Sequence, residues 1–359
     1  MKLLLAGGGT GGHLFPAVAL AEQLLREDPA AEVLFVGTER GLENRIVPRL
    51  GFNLRKIDIS GFVGKGWRRK VALIPQLERS FRQSRAILRD FSPDVVVGVG
   101  GYASGPVLAA ARMMGYPVLI HEQNAWPGLT NRLLAPWVQR VCLSFPESGD
   151  FMRRARKVVT GNPVRLGLAD CPSLPDGPPH LLVFGGSLGA RAINDALLAT
   201  LPELADLKGR MTLLHQTGED DLERVRSGYR DAGWNPQWVV PFIDDMAAAY
   251  GAAHLVLCRA GATTLAELTA CGRAAILVPY PHAAADHQTA NAQALAEKGA
   301  AMLLPQDQLN ATRLGQLLRE MLADPGLLTS MAGAAHALGK RDAAKAILQE
   351  CRVIAGKSR

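Results

Sequence analysis

Apolar residues in this chain come in short unbroken runs, each followed by glycine and then by a helical rhythm. Lys2-Leu3-Leu4-Leu5-Ala6 is the first run. It leads into Gly7-Gly8-Gly9-Thr10-Gly11-Gly12, and Ala17, Leu20, Ala21 and Leu24 then mark one face of a helix. Far downstream Leu181-Leu182-Val183-Phe184 leads into Gly185-Gly186-Ser187-Leu188-Gly189, followed by Ala192, Ile193, Ala196 and Leu197 at helical spacing. Each reads as strand, glycine turn and helix, the opening unit of a doubly wound α/β domain.

Further runs fill out both halves. Val33 to Val36, Val95 to Gly98 and Val118 to Ile120 serve the first, and Leu213-Leu214, Val239-Val240, Leu255 to Leu257 and Ala275 to Val278 the second. They are continuous rather than alternating, so both faces of each sheet should be covered by helices. Cys171 to Pro179 has the proline and glycine content of a linker. A single core rarely serves more than about 250–300 residues, and 359 favour two domains. The expectation is an α/β protein with two Rossmann-like, doubly wound parallel-sheet domains facing across a cleft. Residues 1–163 form the first and 164–340 the second, and 341–359 form a helix returning to the first.

Composition narrows the setting. The five cysteines are odd in number with no C-x-x-C pair, which argues against a disulfide framework or zinc site and fits a reducing cytosol. The apolar start is cut short by Gly7-Gly8-Gly9, well below a secretory core, and Val95 to Ala111 is broken by glycine and proline. The net charge of +7 is uneven: residues 1–165 hold 23 Lys/Arg against 13 Asp/Glu, a net +10, and the remainder 17 against 20. Such asymmetry suits a first half that faces something anionic.

Chemistry gathers at the turns. Gly7, Gly9 and Gly12 satisfy G-x-G-x-x-G, the dinucleotide fingerprint, but no acid stands at the end of the second strand, where Gly37-Thr38 follow Val36. His13 falls in the first helical turn after the glycines, where a neutral imidazole can take a proton from a hydroxyl nucleophile; a histidine that merely packs its own turn is the plainer reading. In the second half Gly261 allows close backbone approach, and Thr263, Thr264 and Leu265 open a helix whose N–H groups suit a diphosphate. Glu267, one turn on, can accept from ribose hydroxyls, although Thr followed by Glu also marks an ordinary helix start. Asp286-His287-Gln288 and Asn291 follow a strand end, where amides and acids suit sugar hydroxyls. Asp244-Asp245-Met246 reads as a helix cap rather than a metal pair.

These residues bring a family into view. The chain resembles the MurG family of bacterial UDP-N-acetylglucosamine transferases, which convert lipid I to lipid II in peptidoglycan synthesis. The likeness runs in order through Gly8 to His13, Gly100-Gly101-Tyr102-Ala103-Ser104-Gly105-Pro106, His121-Glu122-Gln123-Asn124, Gly161-Asn162-Pro163-Val164-Arg165, Gly185-Gly186-Ser187, Phe242 to Met246, Arg259 to Glu267 and the Gln288 region. It implies a GT-B fold, no essential metal or cofactor, and a donor held by the second domain. Arg165, Ser187 and the Thr263–Thr264–Leu265 turn would bind the diphosphate, the backbone at Ile243 the uracil and Glu267 the ribose. Gln288 and Asn124 would hold the N-acetylglucosamine, and Thr10, Gly11 and Gly12 would close over it. His13 would be the base on the acceptor's 4-hydroxyl, giving inversion. Many members carry Gln-Gln where this chain has His287-Gln288. An epimerase acting on UDP-N-acetylglucosamine, a non-catalytic sensor of the same nucleotide sugar and an NAD dehydrogenase share parts of the pattern.

Charge and periodicity add a surface. Lys65, Arg68, Arg69, Lys70, Arg79, Arg82, Arg85 and Arg89 face only Glu78 between residues 65 and 89. From Pro75 the pattern is helical: Leu73, Leu77, Phe81, Ser84 and Leu88 fall on one face, and Glu78, Arg82, Arg85 and Arg89 on another. With Trp67 just before it, this is a basic amphipathic segment suited to anionic lipid, though a domain helix with a solvated basic face has the same pattern. The expected partners are UDP-N-acetylglucosamine, undecaprenyl-linked lipid I and, through Trp67, Arg68, Arg69, Lys70 and the helix, an anionic membrane. No nucleic acid is expected, and the predicted location is peripheral, on the cytoplasmic face of the cell membrane.

Overall fold

The computed structural model describes residues 1–39, 41–59, 74–283 and 286–357. They form two compact units, one of residues 1–166 with 341 onward and the other of residues 167–340.

The first unit opens with β1 (Lys2–Gly7), α1 (Gly11–Glu27), β2 (Glu32–Thr38), α2 (Glu43–Arg49) and β3 (Asn53–Ile57). It continues with α3 (Ile74–Phe91), β4 (Val95–Gly100), α4 (Ser104–Met113), β5 (Val118–Glu122), α5 (Leu129–Leu134), β6 (Arg140–Leu143) and β7 (Lys157–Val159). All pairings are parallel, in the order β3-β2-β1-β4-β5-β6-β7. Leu3 and Leu5 face one side of this sheet and Leu4 and Ala6 the other, and both sides are buried. That is why the run is unbroken. The C-terminal helix α13 (Ala343–Lys357) packs Ile347, Leu348, Cys351 and Ile354 into the same cluster as Leu14, Leu20 and Leu24 of α1.

The second unit repeats the plan with β8 (His180–Phe184), α6 (Arg191–Thr200), β9 (Thr212–Gln216), α7 (Leu222–Asp231), β10 (Val239–Val240), α8 (Met246–Ala252) and β11 (Leu255–Cys258). Then come α9 (Ala262–Cys271), β12 (Ala274–Leu277), α10 (His287–Ala296), β13 (Met302–Leu303), α11 (Ala311–Ala323) and α12 (Pro325–Leu338). Its parallel sheet runs β10-β9-β8-β11-β12-β13. In both sheets the strand order reverses beside the first strand, between β1 and β4 and between β8 and β11. Ligands of such sheets bind outside the carboxyl ends of the strands at this reversal.

The strands that apolar runs do not announce are peripheral or short. In β3 only Ile57 is buried, and its Arg55 and Lys56 are exposed; β7 is an edge strand and β13 has two residues. The basic segment also departs from expectation. On α3 the buried positions are Ser80, Ser84 and Leu88, and Leu77, expected among them, is 39% exposed. Two serines let the helix lie close, with Ser84 Oγ donating to the Ser80 carbonyl at 2.7 Å. Leu88 joins Val107 and Ala111 of α4 in one cluster. The apolar face is therefore spent on the domain, while Arg79, Arg82, Arg85 and Arg89 are exposed as expected. Trp67, Arg68, Arg69, Lys70 and Leu73 lie outside the described residues. Among those described, no helix is long and apolar enough to cross a membrane.

The second core contains a buried histidine with a titration consequence. His215 of β9 has Nε2 at 3.0 Å from Asn194 Oδ1 and Nδ1 at 3.1 Å from the Tyr229 hydroxyl. Asn194 in turn donates to Asp221 at 2.7 Å. Burial pushes the His215 pKa from the ordinary 6.5 down to about 3, against a smaller opposite pull from Asp221. The unfolded chain therefore takes up a proton below pH 6.5 that the folded chain refuses, and stability present above that pH is lost as pH falls towards 3. We expect the urea midpoint to drop between pH 6.5 and 4, with a shallower slope for His215→Gln; equal slopes in parent and variant would remove His215 as the cause.

Candidate active site

Two glycine turns meet at the reversal point of the first sheet. A Cβ on Gly7 would stand 2.5 Å from the Gly100 carbonyl oxygen, and one on Gly101 would stand 2.5 Å from that of Gly8. Both Gly100 (φ +92°) and Gly101 (φ +80°) occupy the left-handed region. The turn after β1 and the turn after β4 thus touch backbone to backbone, which side chains would prevent. A Cβ on Gly100 would lie 2.8 Å from Cε1 and Nδ1 of the His13 ring, so this glycine also makes the space the imidazole fills.

His13 stands in the first turn of α1, half-buried, its N–H donating to the Thr10 carbonyl at 3.3 Å. Its Nδ1 lies 3.1 Å from Gln123 Oε1. Thr10 is the N-cap, and Gly11 and Gly12 are the first residues of the helix. Asn124, beside Gln123, is held by Glu122, whose buried carboxylate accepts from Asn124 N at 3.0 Å, Asn124 Nδ2 at 3.3 Å, Gly128 N at 3.1 Å and Asn131 Nδ2 at 2.8 Å. Arg165 belongs to this unit, not to the second. Its guanidinium lies 4.6 Å from the centre of the Phe15 ring on α1. Burial raises the Glu22 carboxyl there, against the opposing pull of the Leu166 backbone and the Arg165 charge.

Glu43 is a site residue that sequence reasoning missed. Its carboxylate, 1% exposed, accepts from Gly9 N at 2.8 Å, Thr38 N at 2.9 Å and Thr38 Oγ1 at 3.1 Å. Gly8, Gly37 and Gly41 wall it, and a Cβ on any of them would come within 2.5 Å of the Glu43 side chain. Nothing in a single sequence marks this acid. It fixes the loop beside a cavity of about 600 Å³ lined by Gly8, Gly9, Thr10, Thr38, Glu39, Asp58 and Tyr102, among others.

In the second unit the sequence-predicted site residues lie in the loops and helices that follow β8, β10, β11 and β12. Ser187 lies in the loop after β8, where Gly189 (φ +77°) touches the Thr217 carbonyl so closely that a Cβ would stand 1.8 Å from it. Gly261 is the N-cap of α9 and, as a glycine, has no capping side chain of its own. The first-turn N–H groups of Ala262, Thr263 and Thr264 belong to this helix N-terminus, the kind of helix end that suits a phosphate. Glu267, 4% exposed, accepts from the buried Tyr250 hydroxyl at 3.3 Å. Ile243 is buried in the loop before α8, and Asp245 caps that helix by accepting from Ala248 N at 2.9 Å. Gln288 Oε1 accepts from Tyr280 N at 3.0 Å. Asn291 is fully buried and donates to the Ala260 carbonyl at 3.3 Å, an anchor for the α9 turn rather than a surface contact. Arg259 braces the same turn, donating to the Val278 and Pro279 carbonyls at 3.2 and 3.0 Å. Among the described residues no cluster of three His, Cys, Asp or Glu could hold a metal ion.

Residues 3–143 match the glycosyltransferase family 28 N-terminal domain, and residues 180–347 match the family 28 C-terminal domain. The chain belongs to glycosyltransferase family 28. A family 28 chain from Syntrophotalea carbinolica, a UDP-N-acetylglucosamine--N-acetylmuramyl-(pentapeptide) pyrophosphoryl-undecaprenol N-acetylglucosamine transferase, is 60% identical over 357 residues, covering 99% of this chain and 100% of that one. The crystal structure of Acinetobacter baumannii MurG superposes with a TM-score of 0.76 at 35% identity, covering 98% of this chain and 99% of its own. The fold is therefore GT-B. A UDP-GlcNAc 2-epimerase from Neisseria meningitidis has a TM-score of 0.65 at 13% identity, over 97% of this chain and 99% of that one, and shares the fold alone.

The packing of Gly100 against His13 can be tested in this family 28 chain. Gly100→Ala places a methyl group where the ring sits and strains a positive-φ position at a cost of about 1–2 kcal/mol. Displacing a reacting group by about 1 Å can cost about 10²-fold. We expect kcat to fall by about that factor with UDP affinity unchanged, measured by turnover and calorimetry. Parent-like kcat in the folded variant would show that the ring position is not critical.

Proposed function

We propose that this protein transfers N-acetylglucosamine from UDP-N-acetylglucosamine to the 4-hydroxyl of the N-acetylmuramyl unit of lipid I, with inversion, forming lipid II for peptidoglycan synthesis. The observation that carries this reading is the 60% identity, over essentially all of both chains, to a transferase of that name. The local geometry supports it. In the second unit the N-terminus of α9 and the buried Glu267 lie on one helix, a pairing suited to the diphosphate and ribose of a UDP-sugar. Ser187 and the turn of Thr263, Thr264 and Leu265 hold the diphosphate, the Ile243 backbone reads uracil, and the Gln288 NH₂ donates to the sugar.

On the first unit, His13 accepts the proton of the acceptor hydroxyl as that oxygen attacks the anomeric carbon. UDP leaves with its charge met by N–H groups and Arg165. Asn124 contacts the sugar, and Thr10, Gly11 and Gly12 close over it. The cavity beside Thr10 takes the acceptor's polar head. Glu267→Ala should weaken UDP binding by about 1.5–3 kcal/mol, the size of a charge-assisted contact, in calorimetric titration. His13→Ala should instead slow turnover by about 10²–10⁴-fold at nearly constant donor affinity. Unchanged UDP affinity in the first variant, or a loss confined to donor binding in the second, would overturn the respective role.

Membrane contact is the finer part of the proposal. The exposed arginines of α3, with Trp67, Arg68, Arg69 and Lys70 before it, attract an anionic surface at about 1 kcal/mol per basic residue. Trp137 and Met113 on the same unit are 69% and 77% exposed, and Arg112 Nε donates to the Trp137 carbonyl at 2.7 Å, so apolar and basic groups sit together. Reversal of Arg68, Arg69 and Lys70 to Glu should reduce co-sedimentation with anionic vesicles at low salt while sparing turnover of a water-soluble acceptor. Equal vesicle binding by variant and parent would remove this segment from the contact.

A further inference from the structure

Gln123 lies between two imidazoles and is 1% exposed. Its Oε1 is 3.1 Å from His13 Nδ1, and its Nε2 is 2.9 Å from the Val99 carbonyl oxygen and 3.1 Å from His121 Nδ1. These neighbours permit one orientation of the amide. The Val99 carbonyl only accepts, so the group facing it is the NH₂; turned over, two oxygens would stand 2.9 Å apart with no proton between them. The amide oxygen therefore faces His13, where it can only accept.

His121 closes the other end. Its Nε2 lies 3.2 Å from the Gly161 carbonyl oxygen, again an acceptor only, and 3.2 Å from the Ser144 hydroxyl. The ring proton is therefore on Nε2, and Nδ1 is left to accept from the Gln123 NH₂. Full burial, with a smaller contribution from His13 nearby, holds this imidazole neutral, its pKa brought down from 6.5 to about 4. Donors then run in one direction, from His13 Nδ1 to Gln123, from Gln123 to Val99 and His121, and from His121 to Gly161. No member can reverse without leaving a buried polar atom unpaired, which costs about 1–3 kcal/mol.

We propose that Gln123 is the positioning residue of the base: by accepting from Nδ1 it fixes the His13 tautomer and leaves the Nε2 lone pair to take the acceptor's proton. This rests on the reading of His13 as that base. The relay also gives a task to His121, Gln123 and Gly161, to which the sequence assigned none. His121 and Gln123 come from the end of β5, and Gly161 from the loop after β7. A glutamine orients the ring without adding a negative charge, which would favour the imidazolium and oppose an anionic donor.

Long-range ¹H–¹⁵N correlation on protein labelled with ¹⁵N-histidine reads the tautomer directly, with His13 assigned by its loss in His13→Gln. The parent should show neutral His13 protonated on Nδ1 only. Gln123→Met, similar in volume and unable to accept strongly, should give a mixture of tautomers, a fall in kcat of about 10–10²-fold and a donor KM within about twofold. A parent spectrum with the proton on Nε2, or an unchanged tautomer in Gln123→Met, would overturn the proposal, and the parent spectrum decides even if a variant fails to fold. If instead the tautomer shifts while kcat holds, or if His13→Gln turns over normally, the assignment of His13 as base is what fails.

Discussion

The contact on which the first unit depends is backbone against backbone, where the glycine turn after β1 meets the glycine turn after β4. Gly7 and Gly8 leave no room for side chains beside Gly100 and Gly101. This permits two things at once. β1 and β4 stay paired up to Gly7 and Gly100 while their chains part to opposite sides, which makes the reversal point of a parallel sheet. The His13 imidazole also comes to lie over Gly100, with Val99 and Gln123 beneath it in the same hydrogen-bonded group. The strand end, the tautomer and the ring position therefore share one local cause. A methyl group at this crossing would disturb all three.

The second unit solves the same packing problem with the same residue type and uses it differently. Gly189 and Gly218 press the turn after β8 against the end of β9, and Gly185 clears Ala190. Beside that turn, however, stand the N-terminus of α9 and a carboxylate that accepts from Tyr250. In the proposed function one sheet supplies a proton acceptor at its reversal point, and the other a set of donors for phosphate with an acceptor for hydroxyls. The charge follows this division. The basic first half suits a lipid-linked diphosphate acceptor, and the second carries no such excess.

The sequence reveals whatever depends on burial from both sides or on glycine. The runs at Leu3, Val95, Leu181 and Leu255 declare central strands, because a strand covered on both faces cannot alternate. Gly8 to His13 and Gly261 to Glu267 declare their turns, because close backbone approach excludes other residues. What stays hidden depends on partners remote in the chain. β3 reads as polar because it lies at an edge, and Glu43 and Gln123 look ordinary until Gly9 and His13 are brought to them. Periodicity misplaced Leu77 for a related reason: α3 buries Ser80, Ser84 and Leu88, the last in one cluster with Val107 and Ala111 of α4. Arg165 sits among residues of the second domain by sequence, yet its guanidinium rests on Phe15 of α1, a contact only the fold supplies.

Product analysis tests the central claim most directly. Purified protein given labelled UDP-N-acetylglucosamine and a short-chain, water-soluble lipid I analogue should release one UDP for each sugar transferred. The product should carry the sugar on the muramyl 4-hydroxyl, its anomeric configuration inverted from that of the donor, as read by proton NMR couplings. Recovery of an epimerised nucleotide sugar, retention of anomeric configuration, or no labelled acceptor from protein that binds UDP would contradict the account.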